Sequence, residues 1–363
     1  MLLLPLMPPP MIKESSLRKA EWRDCRFEIV RLLAILLITL HHLLLFGADV
    51  CGYLTPYTPA AKGYVGVFLN SFAVTGVSLF ILITGWFGVR KTWRPFFRLV
   101  IVCAAFGFIA FLLAKSQTML PSPAWGNWWQ SLKFTNWWFM VHYLMLLLVA
   151  PLLERAMEVI DRRTMEQLIL SLLVFNFVFG YMWGYVNASG YNVVHFILLY
   201  VLARYMRSFP DAPVIGFIRR FAPVIIVVCV AAMGFIYLAD RSGWLPQHAP
   251  MVWNYNCPLV VLESMAIFSL FTRIRIDKVE KWRMRKTFTF MARFVLGIYL
   301  LQSAPVLVPL RNTLGSWAYD TAGYAGLALA VLAVFIVCWV ISCILFTLLR
   351  PLLNIRILNK CEH

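Results

Sequence analysis

Long apolar runs separated by short polar stretches form the main pattern of this chain. Ten runs approach the roughly 20 residues that an α-helix needs to cross a bilayer. They cover residues 29–47, 64–87, 98–115, 137–154, 167–184, 193–206, 221–239, 255–272, 288–309 and 322–349. The sixth run is short and the tenth is long, so their ends are the hardest to place. The pattern predicts an all-α polytopic membrane protein with about ten transmembrane helices.

The loops between these runs alternate between basic and non-basic. With the N-terminus inside, 28 of the 33 Lys and Arg residues fall in cytoplasmic segments. This topology places the other five in outer segments: Lys62, Lys115, Lys133, Arg241 and Arg311. Positive residues collect on the cytoplasmic side of membrane proteins, so we expect both termini inside.

The predicted topology gives one large domain between two tails. Residues 1–26 form a cytoplasmic tail, residues 27–349 a ten-helix membrane domain, and residues 350–363 a second cytoplasmic tail. The first ten residues, MLLLPLMPPP, are too short and too rich in proline to span a bilayer. They also lack the basic start of a signal peptide. Either Met1 or Met11 is therefore considered as the first residue of the translated protein.

Composition agrees with a membrane protein and narrows its partners. Of all residues, 61% are hydrophobic and only 13% are charged, far from the roughly 25% charged residues of soluble domains. The net charge of +17 is therefore explained mainly by basic residues in cytoplasmic loops, and only secondarily by binding of anionic ligands. We expect a lipid bilayer but no nucleic acid as a partner. The eight cysteines show no paired CxxC spacing, which predicts neither a metal site nor a disulfide framework.

The first apolar run, FEIVRLLAILLITLHHLLLF (27–46), carries polar residues where each is costly without a partner or a role. Arg31 and His42 are eleven residues apart, close to three helical turns, so both project from one helix face about 16 Å apart. A neutral His42 is suited to act as a general base. His41 points about 100° away and is expected to be a packing or supporting residue.

Glu28 precedes Arg31 by three positions, a spacing at which helical side chains meet. Two interpretations stay open. The pair is an ordinary interfacial ion pair, or Glu28 holds Arg31 in place for a phosphate, whose oxygens match the guanidinium fork.

The second run ends in a small residue and a basic cluster. Thr84-Gly85-Trp86 interrupts an apolar helix with a glycine, which permits the close approach of a neighbouring helix or a ligand. The basic residues that follow are Arg90, Lys91, Arg94 and Arg98. Cytoplasmic topology alone explains their number, but they also suit a phosphate-bearing ligand on that side.

Aromatic and buried polar residues complete the candidates. Five tryptophans lie between Pro121 and Trp138 and either anchor the protein at the membrane interface or stack against a sugar ring. Glu263 is the only acidic residue well inside an apolar run, so it requires a partner or a proton. The residues considered as possible site-lining groups are His41, Thr84, Trp138, His142, Glu263, Tyr299 and Gln302; His142 and His195 are more often structural in such positions.

Several of these stretches together resemble one known family. FEIVRLLAILLITLHH is similar to the first helix of acyltransferase family 3 membrane proteins, in which a basic residue precedes a histidine by eleven positions, as Arg31 precedes His42 here. SLFILITGWFGVRK, NWWFMVHYLMLLLVAPLLE (136–154) and FVLGIYLLQSAPVLV (294–308) resemble later helices in the same order. The chain departs from the family pattern at Thr84, Lys91 and Gln302.

The family includes O-antigen, exopolysaccharide and enterobacterial-common-antigen O-acetyltransferases. The resemblance implies a cytoplasmic (inner) membrane enzyme that transfers an acyl group, commonly acetyl, from acetyl-CoA to a hydroxyl of a cell-envelope glycan or lipid-linked sugar. It implies acyl-CoA as a co-substrate, no permanently bound cofactor, and the possibility of an oligomer. His42 would be the base, supported by Glu28 and Arg31. Arg31, Arg90, Lys91, Arg94 and Arg98 would meet the CoA phosphates.

Two other classes of protein remain as alternatives. A transporter or flippase for an anionic or lipid-linked sugar would use Glu263 and the histidines as proton relays, although the chain lacks the inverted repeats common in transporters. A catalytically idle relative would act as a sensor or scaffold, which the presence of both Arg31 and His42 disfavours. Consumption of a thioester distinguishes the enzyme from both.

Overall fold

The computed structural model describes residues 24–53, 61–89, 93–116, 137–185, 188–244, 249–275 and 281–353. These residues form helices and no strand. The helices are α1 (Cys25–His42), α2 (Ala61–Ala73), α3 (Gly76–Phe87), α4 (Arg94–Ser116), α5 (Trp138–Val159), α6 (Arg162–Leu173), α7 (Val193–Ser208), α8 (Pro213–Arg241), α9 (Pro258–Thr272), α10 (Arg285–Ala292), α11 (Val295–Gln302) and α12 (Val308–Leu353). π-helical turns extend α1 over Leu43–Gly47 and α6 over Val174–Met182, and short 3₁₀ turns cover Ala188–Gly190 and Ala249–Trp253.

Within the described residues, eight helical segments are long and apolar enough to cross a membrane. They match eight of the ten predicted runs, which confirms an all-α polytopic membrane protein. The sixth run forms α7, which has only 16 residues, and the ninth is divided between α10 and α11. The total of ten transmembrane helices and the cytoplasmic location of both termini remain predictions.

The ninth run is where the sequence-based boundaries are wrong. A single helix was expected over 288–309. Instead, the helix α10 ends at Ala292, the helix α11 ends at Gln302, and the chain turns before α12 begins at Val308. Pro305 lies in that turn, where it has no amide to donate and disfavours a helical conformation in the residue before it. The helix α12 bends sharply at Ala322 and Gly323, and Gly323 has a positive φ of 59°. Its second part corresponds to the tenth predicted run.

The first helix is at the centre of the bundle. α1 packs against α2, α3, α9, α10, α11 and α12. Asp24 caps its N-terminus by accepting a hydrogen bond from the backbone N–H of Arg26 at 3.1 Å. Phe27, Val30 and Ile35 are fully buried. The polar residues of α1 are therefore surrounded by other helices.

Two glycines bring α3 into close contact with its neighbours. A Cβ atom on Gly76 would lie 2.7 Å from the carbonyl oxygen of Ala34 in α1. A Cβ on Gly85 would lie 2.4 Å from the carbonyl oxygen of Tyr200 in α7. Both distances are too short for a real contact, so only glycine permits this packing. The close approach predicted for Thr84-Gly85-Trp86 is confirmed, with a neighbouring helix as the partner.

Candidate active site

A cavity of about 370 Å³ lies beside α1. Its walls come from α1, α3, α4, α5 and the segment from Ala292 to Tyr299. Arg31 and Arg293 contribute cationic groups, whereas Ile38, Phe139 and Leu296 contribute apolar walls. The volume is near the lower end of the roughly 300–1,000 Å³ of small-molecule sites. It suits part of a ligand, such as an extended chain, rather than a whole nucleotide-bearing molecule.

Arg31 reaches the cavity while paired with Glu28. Its Nη1 donates a hydrogen bond to Glu28 Oε1 on the preceding turn. The side chain of Glu28 is only 2% exposed, whereas that of Arg31 is 27% exposed. The guanidinium carbon of Arg31 also lies 6.0 Å from the centre of the Phe87 ring. Glu28 thus fixes one end of the Arg31 guanidinium, and the remaining N–H groups are available to the cavity.

Two further arginines lie in or next to the cavity that Arg31 lines. Arg293, which the sequence did not single out, lines the same cavity. Arg98 lines an adjoining groove that shares Leu99, Tyr143 and Leu296 with the cavity, and its Nε has no hydrogen-bond partner in the described part of the chain. Arg90 and Lys91 lie outside the described residues, and the helix α4 begins at Arg94.

Thr84 and Tyr143 form a hydroxyl pair at the cavity wall. Thr84 Oγ1 donates to the carbonyl oxygen of Phe80 at 3.0 Å, so it accepts from the Tyr143 hydroxyl, also at 3.0 Å. Tyr299 lines the same cavity, and its ring packs edge-on against Phe139 with 5.3 Å between ring centres. Thr84 and Tyr299 therefore are cavity residues.

His42 lies one helical turn beyond Ile38, which lines the cavity, and it contacts Arg311. Arg311 Nη1 lies 3.1 Å from His42 Nδ1 and 2.9 Å from the carbonyl oxygen of Gln302. Arg311 Nη2 donates to Asn312 Oδ1 at 2.9 Å. A guanidinium only donates hydrogen bonds, so Nδ1 accepts and the neutral ring carries its proton on Nε2.

Arg311, which the predicted topology assigned to an outer segment, lies in α12 and is only 7% exposed. Its side of the membrane remains a prediction. The π-helical turn after His42 approaches α12 closely, because a Cβ on Gly47 would lie 3.3 Å from the Cα of Gly315. Arg311 is one turn before Gly315 and therefore meets His42. A partner 269 residues away left no signal in the local sequence pattern.

His41 points in a different direction, toward α2. Its Nδ1 lies 2.7 Å from Asn70 Oδ1, and the side chain is 9% exposed. The two neighbouring histidines thus have separate partners, Asn70 for His41 and Arg311 for His42.

Gln302 is the last residue of α11, and its side chain forms a hydrogen bond with Thr39 of α1. Its amide oxygen is 2.7 Å from Thr39 Oγ1, which also donates to the carbonyl oxygen of Ile35. One hydroxyl proton cannot serve both acceptors, so the Gln302 amide fits better when rotated to donate to Thr39. In either orientation, one polar atom of this 2% exposed side chain lacks a partner in the described residues.

Trp138 and His142 belong to an aromatic cluster. Trp138 packs against Tyr191 and Tyr255, with ring centres 4.2 and 5.1 Å away. His142 Nδ1 donates to the carbonyl oxygen of Trp138 at 2.7 Å and thereby closes the first turn of α5. Tyr191 is 46% exposed, so the cluster reaches the protein surface. Trp125, Trp128 and Trp129 lie outside the described residues.

Glu263 is separate from the cavity. It lies in α9, is fully buried, and has no hydrogen-bond partner for either carboxyl oxygen among the described residues. His195 in α7 is likewise buried, and both of its ring nitrogens lack partners in the same part of the chain. Neither residue lines the cavity next to Arg31.

A polar cluster that the sequence did not reveal holds the end of α3. Glu154 accepts a hydrogen bond from the Tyr200 hydroxyl at 2.5 Å and pairs with Arg204 Nη2 at 3.1 Å. The Tyr200 oxygen in turn accepts from the backbone N–H of Val89 at 3.0 Å. The cluster fixes the chain just before the basic residues that follow α3.

A helical membrane protein with a cationic cavity beside a histidine-bearing central helix has the parts of a membrane-embedded group-transfer enzyme. A family model described as an acyltransferase domain matches residues 26–344. The match covers most of the chain, so this protein belongs to acyltransferase family 3, and the resemblance of its helices to that family is confirmed. It is therefore a multi-pass membrane acyltransferase. Comparison with curated proteins and with solved structures finds no match.

Proposed function

We propose that this protein is an acyl-CoA-dependent O-acyltransferase of the cytoplasmic (inner) membrane. It transfers an acyl group, most simply acetyl, to a hydroxyl of a cell-envelope carbohydrate or lipid-linked glycan. The observation that carries the proposal is the cavity beside α1, with Arg31 on its wall and His42 one turn beyond Ile38 on the same helix.

Acyl-CoA binding is supported by the arginines around the cavity. Arg31 and Arg293 line it, and Arg98 lies in the adjoining groove. Guanidinium groups bind phosphate oxygens through paired hydrogen bonds. These arginines, with Arg90, Lys91 and Arg94 from the preceding basic segment, would bind the phosphates of CoA at the predicted cytoplasmic side. The apolar walls at Phe139 and Leu296 would contact the chain that carries the thioester.

His42 is the proposed general base. The acceptor hydroxyl attacks the carbonyl carbon of the thioester while the Nδ1 lone pair of His42 takes its proton. The tetrahedral intermediate then collapses and releases the CoA thiolate, which receives the proton from the imidazolium. The products are an ester and free CoA. Glu28 contributes by holding Arg31, and His41 contributes to the packing of α1 against α2 through Asn70.

The acceptor is proposed to approach along the aromatic cluster of Trp138, Tyr191 and Tyr255. Aromatic faces pack against the apolar faces of sugar rings, and the partly exposed Tyr191 provides access from the surface. His142, attached to the same turn of α5, lies beside this route.

Release of free CoA from acetyl-CoA tests the proposal. The purified protein in lipid is incubated with an envelope-glycan extract, and wild type is compared with His42→Ala and His41→Ala. His41→Ala is the matched control, because it removes a neighbouring buried imidazole. We expect His42→Ala to lose acceptor-dependent release and His41→Ala to retain most of it. Wild type that releases no CoA from any acyl donor, or an active His42→Ala variant, would contradict the proposal.

A further inference from the structure

Arg311 is a buried cation held by neutral groups. Its guanidinium donates to His42 Nδ1, the Gln302 carbonyl oxygen and the Asn312 amide oxygen. Among the described residues, no carboxylate lies within ion-pair distance of it. A charge removed from water without a counter-ion is costly, and Arg311 is only 7% exposed. A negative charge arriving beside it is therefore strongly favoured.

The contact with His42 has a second consequence. Because Arg311 occupies the Nδ1 lone pair, the neutral ring of His42 has no free lone pair to accept a proton. In this state His42 cannot act as a base. The hydrogen bond from Arg311 must first pass to another acceptor, and that acceptor must lie within reach of the same Nη1 atom.

We propose that the acceptor is the carbonyl oxygen of the acyl donor, so that Arg311 stabilises the oxyanion of the transfer reaction and releases His42 in the same step. This inference rests on the function proposed above and adds a residue to it. When the donor is absent, Arg311 blocks the base. When the thioester carbonyl enters, Nη1 turns from Nδ1 to the carbonyl oxygen, which frees Nδ1 next to the acceptor hydroxyl.

The reaction balances with these groups alone. The hydroxyl oxygen forms a bond to the carbonyl carbon, the carbonyl π electrons move to the oxygen that Arg311 contacts, and the hydroxyl proton goes to His42 Nδ1. When the oxyanion collapses, the carbon–sulfur bond breaks and its electron pair leaves with the CoA thiolate. The proton on Nδ1 then passes to that thiolate, and Arg311 returns to His42.

The proposed role of Arg311 is tested by enzyme kinetics and by a measurement of the protonation state of His42. The variants are Arg311→Gln and Arg311→Lys, and the matched control is Arg241→Gln. Arg241 is also a partly buried arginine bound to neutral groups, the Tyr237 hydroxyl and the Gly52 carbonyl oxygen, away from the cavity. Loss of one oxyanion donor lowers kcat by about 10²–10³-fold. We expect that loss in Arg311→Gln with little change in the KM for acetyl-CoA, a partial recovery in Arg311→Lys, and near wild-type kcat in Arg241→Gln.

A second measurement follows the state of His42 directly in the wild-type protein. In wild-type protein labelled with ¹⁵N-histidine, His42 is assigned by comparison with His42→Ala, and its Nδ1 signal is expected to be that of an unprotonated, hydrogen-bonded nitrogen. A ketone analogue of acetyl-CoA keeps the carbonyl group but cannot be cleaved. Its addition is expected to shift the Nδ1 signal as Arg311 leaves, and this shift is expected to be absent in Arg311→Gln.

Two results would overturn the inference: a kcat of Arg311→Gln within about threefold of Arg241→Gln, or a bound ketone analogue that leaves the Nδ1 signal unchanged. If His42→Ala is inactive while Arg311→Gln remains active, the proposed function stands and only the role of Arg311 is refuted. If both variants are active, the proposed function itself is refuted.

Discussion

Replacing Arg31 by methionine is expected to destabilise the protein more than replacing Glu28 by glutamine. The two side chains form one ion pair but differ in burial, since Glu28 is 2% exposed and Arg31 27% exposed. Arg31→Met removes the cation that Glu28 contacts inside the bundle. Glu28→Gln leaves a cation that can still reach water and a neutral amide that can still accept a hydrogen bond.

The difference in burial sets the magnitudes. Removing one partner of a buried pair typically costs about 3–5 kcal/mol. The partial exposure of Arg31 allows some solvent screening, so we expect about 3 kcal/mol for Arg31→Met. Glu28→Gln keeps a weaker neutral hydrogen bond and is expected to cost about 1–2 kcal/mol. The double variant buries no charge at this position and is expected to be more stable than Arg31→Met alone.

Unfolding free energies measured by detergent titration in mixed micelles, with tryptophan fluorescence as the signal, check these values. Arg162→Met is the control, because Arg162 pairs with Glu166 on an exposed helix surface, where both side chains are more than 40% exposed. It is expected to be far less destabilising than Arg31→Met. A Glu28→Gln variant as unstable as Arg31→Met, or a double variant less stable than either single one, would refute the reasoning.

Three further predictions concern packing and donor binding. Gly85→Ala is expected to destabilise the protein by about 2 kcal/mol or more, since the new Cβ would lie 2.4 Å from the Tyr200 carbonyl oxygen. Gly216 has open space around it, so Gly216→Ala is expected to be neutral or slightly stabilising in the same titration. Tyr200→Phe removes the hydrogen bonds to Glu154 and Val89, and steady-state kinetics are expected to show a higher KM for acetyl-CoA because the basic segment after α3 loses its support. Arg293→Gln is expected to raise that KM about tenfold with an unchanged kcat, if it removes one charged hydrogen bond to phosphate; an unchanged KM would exclude Arg293 from the donor site.

The sequence predicted the helical membrane fold well, because length and hydropathy alone determine whether a segment can span a bilayer. It also predicted the pairing of Glu28 with Arg31, which depends only on helical spacing. The break in the ninth run was missed, since hydropathy does not change where the chain turns around Pro305.

Contacts between distant parts of the chain could not be predicted in this way. Arg311 was assigned to an outer segment from the alternation of basic and non-basic loops, which carries no information about its neighbours in the fold. Its contact with His42 depends on the packing of α12 against the π-helical turn after α1. The cluster of Glu154, Tyr200 and Arg204 depends likewise on how α5 and α7 meet.

The separation of 269 residues between His42 and Arg311 also constrains how the protein is made. α1 enters the membrane early in synthesis, whereas Arg311 arrives only after every segment that lines the cavity. Residues 308–321, the part of α12 that carries Arg311, can make this contact only once α1 is in place. During synthesis the segments that line the cavity are therefore made first, and the cation that contacts His42 is made last.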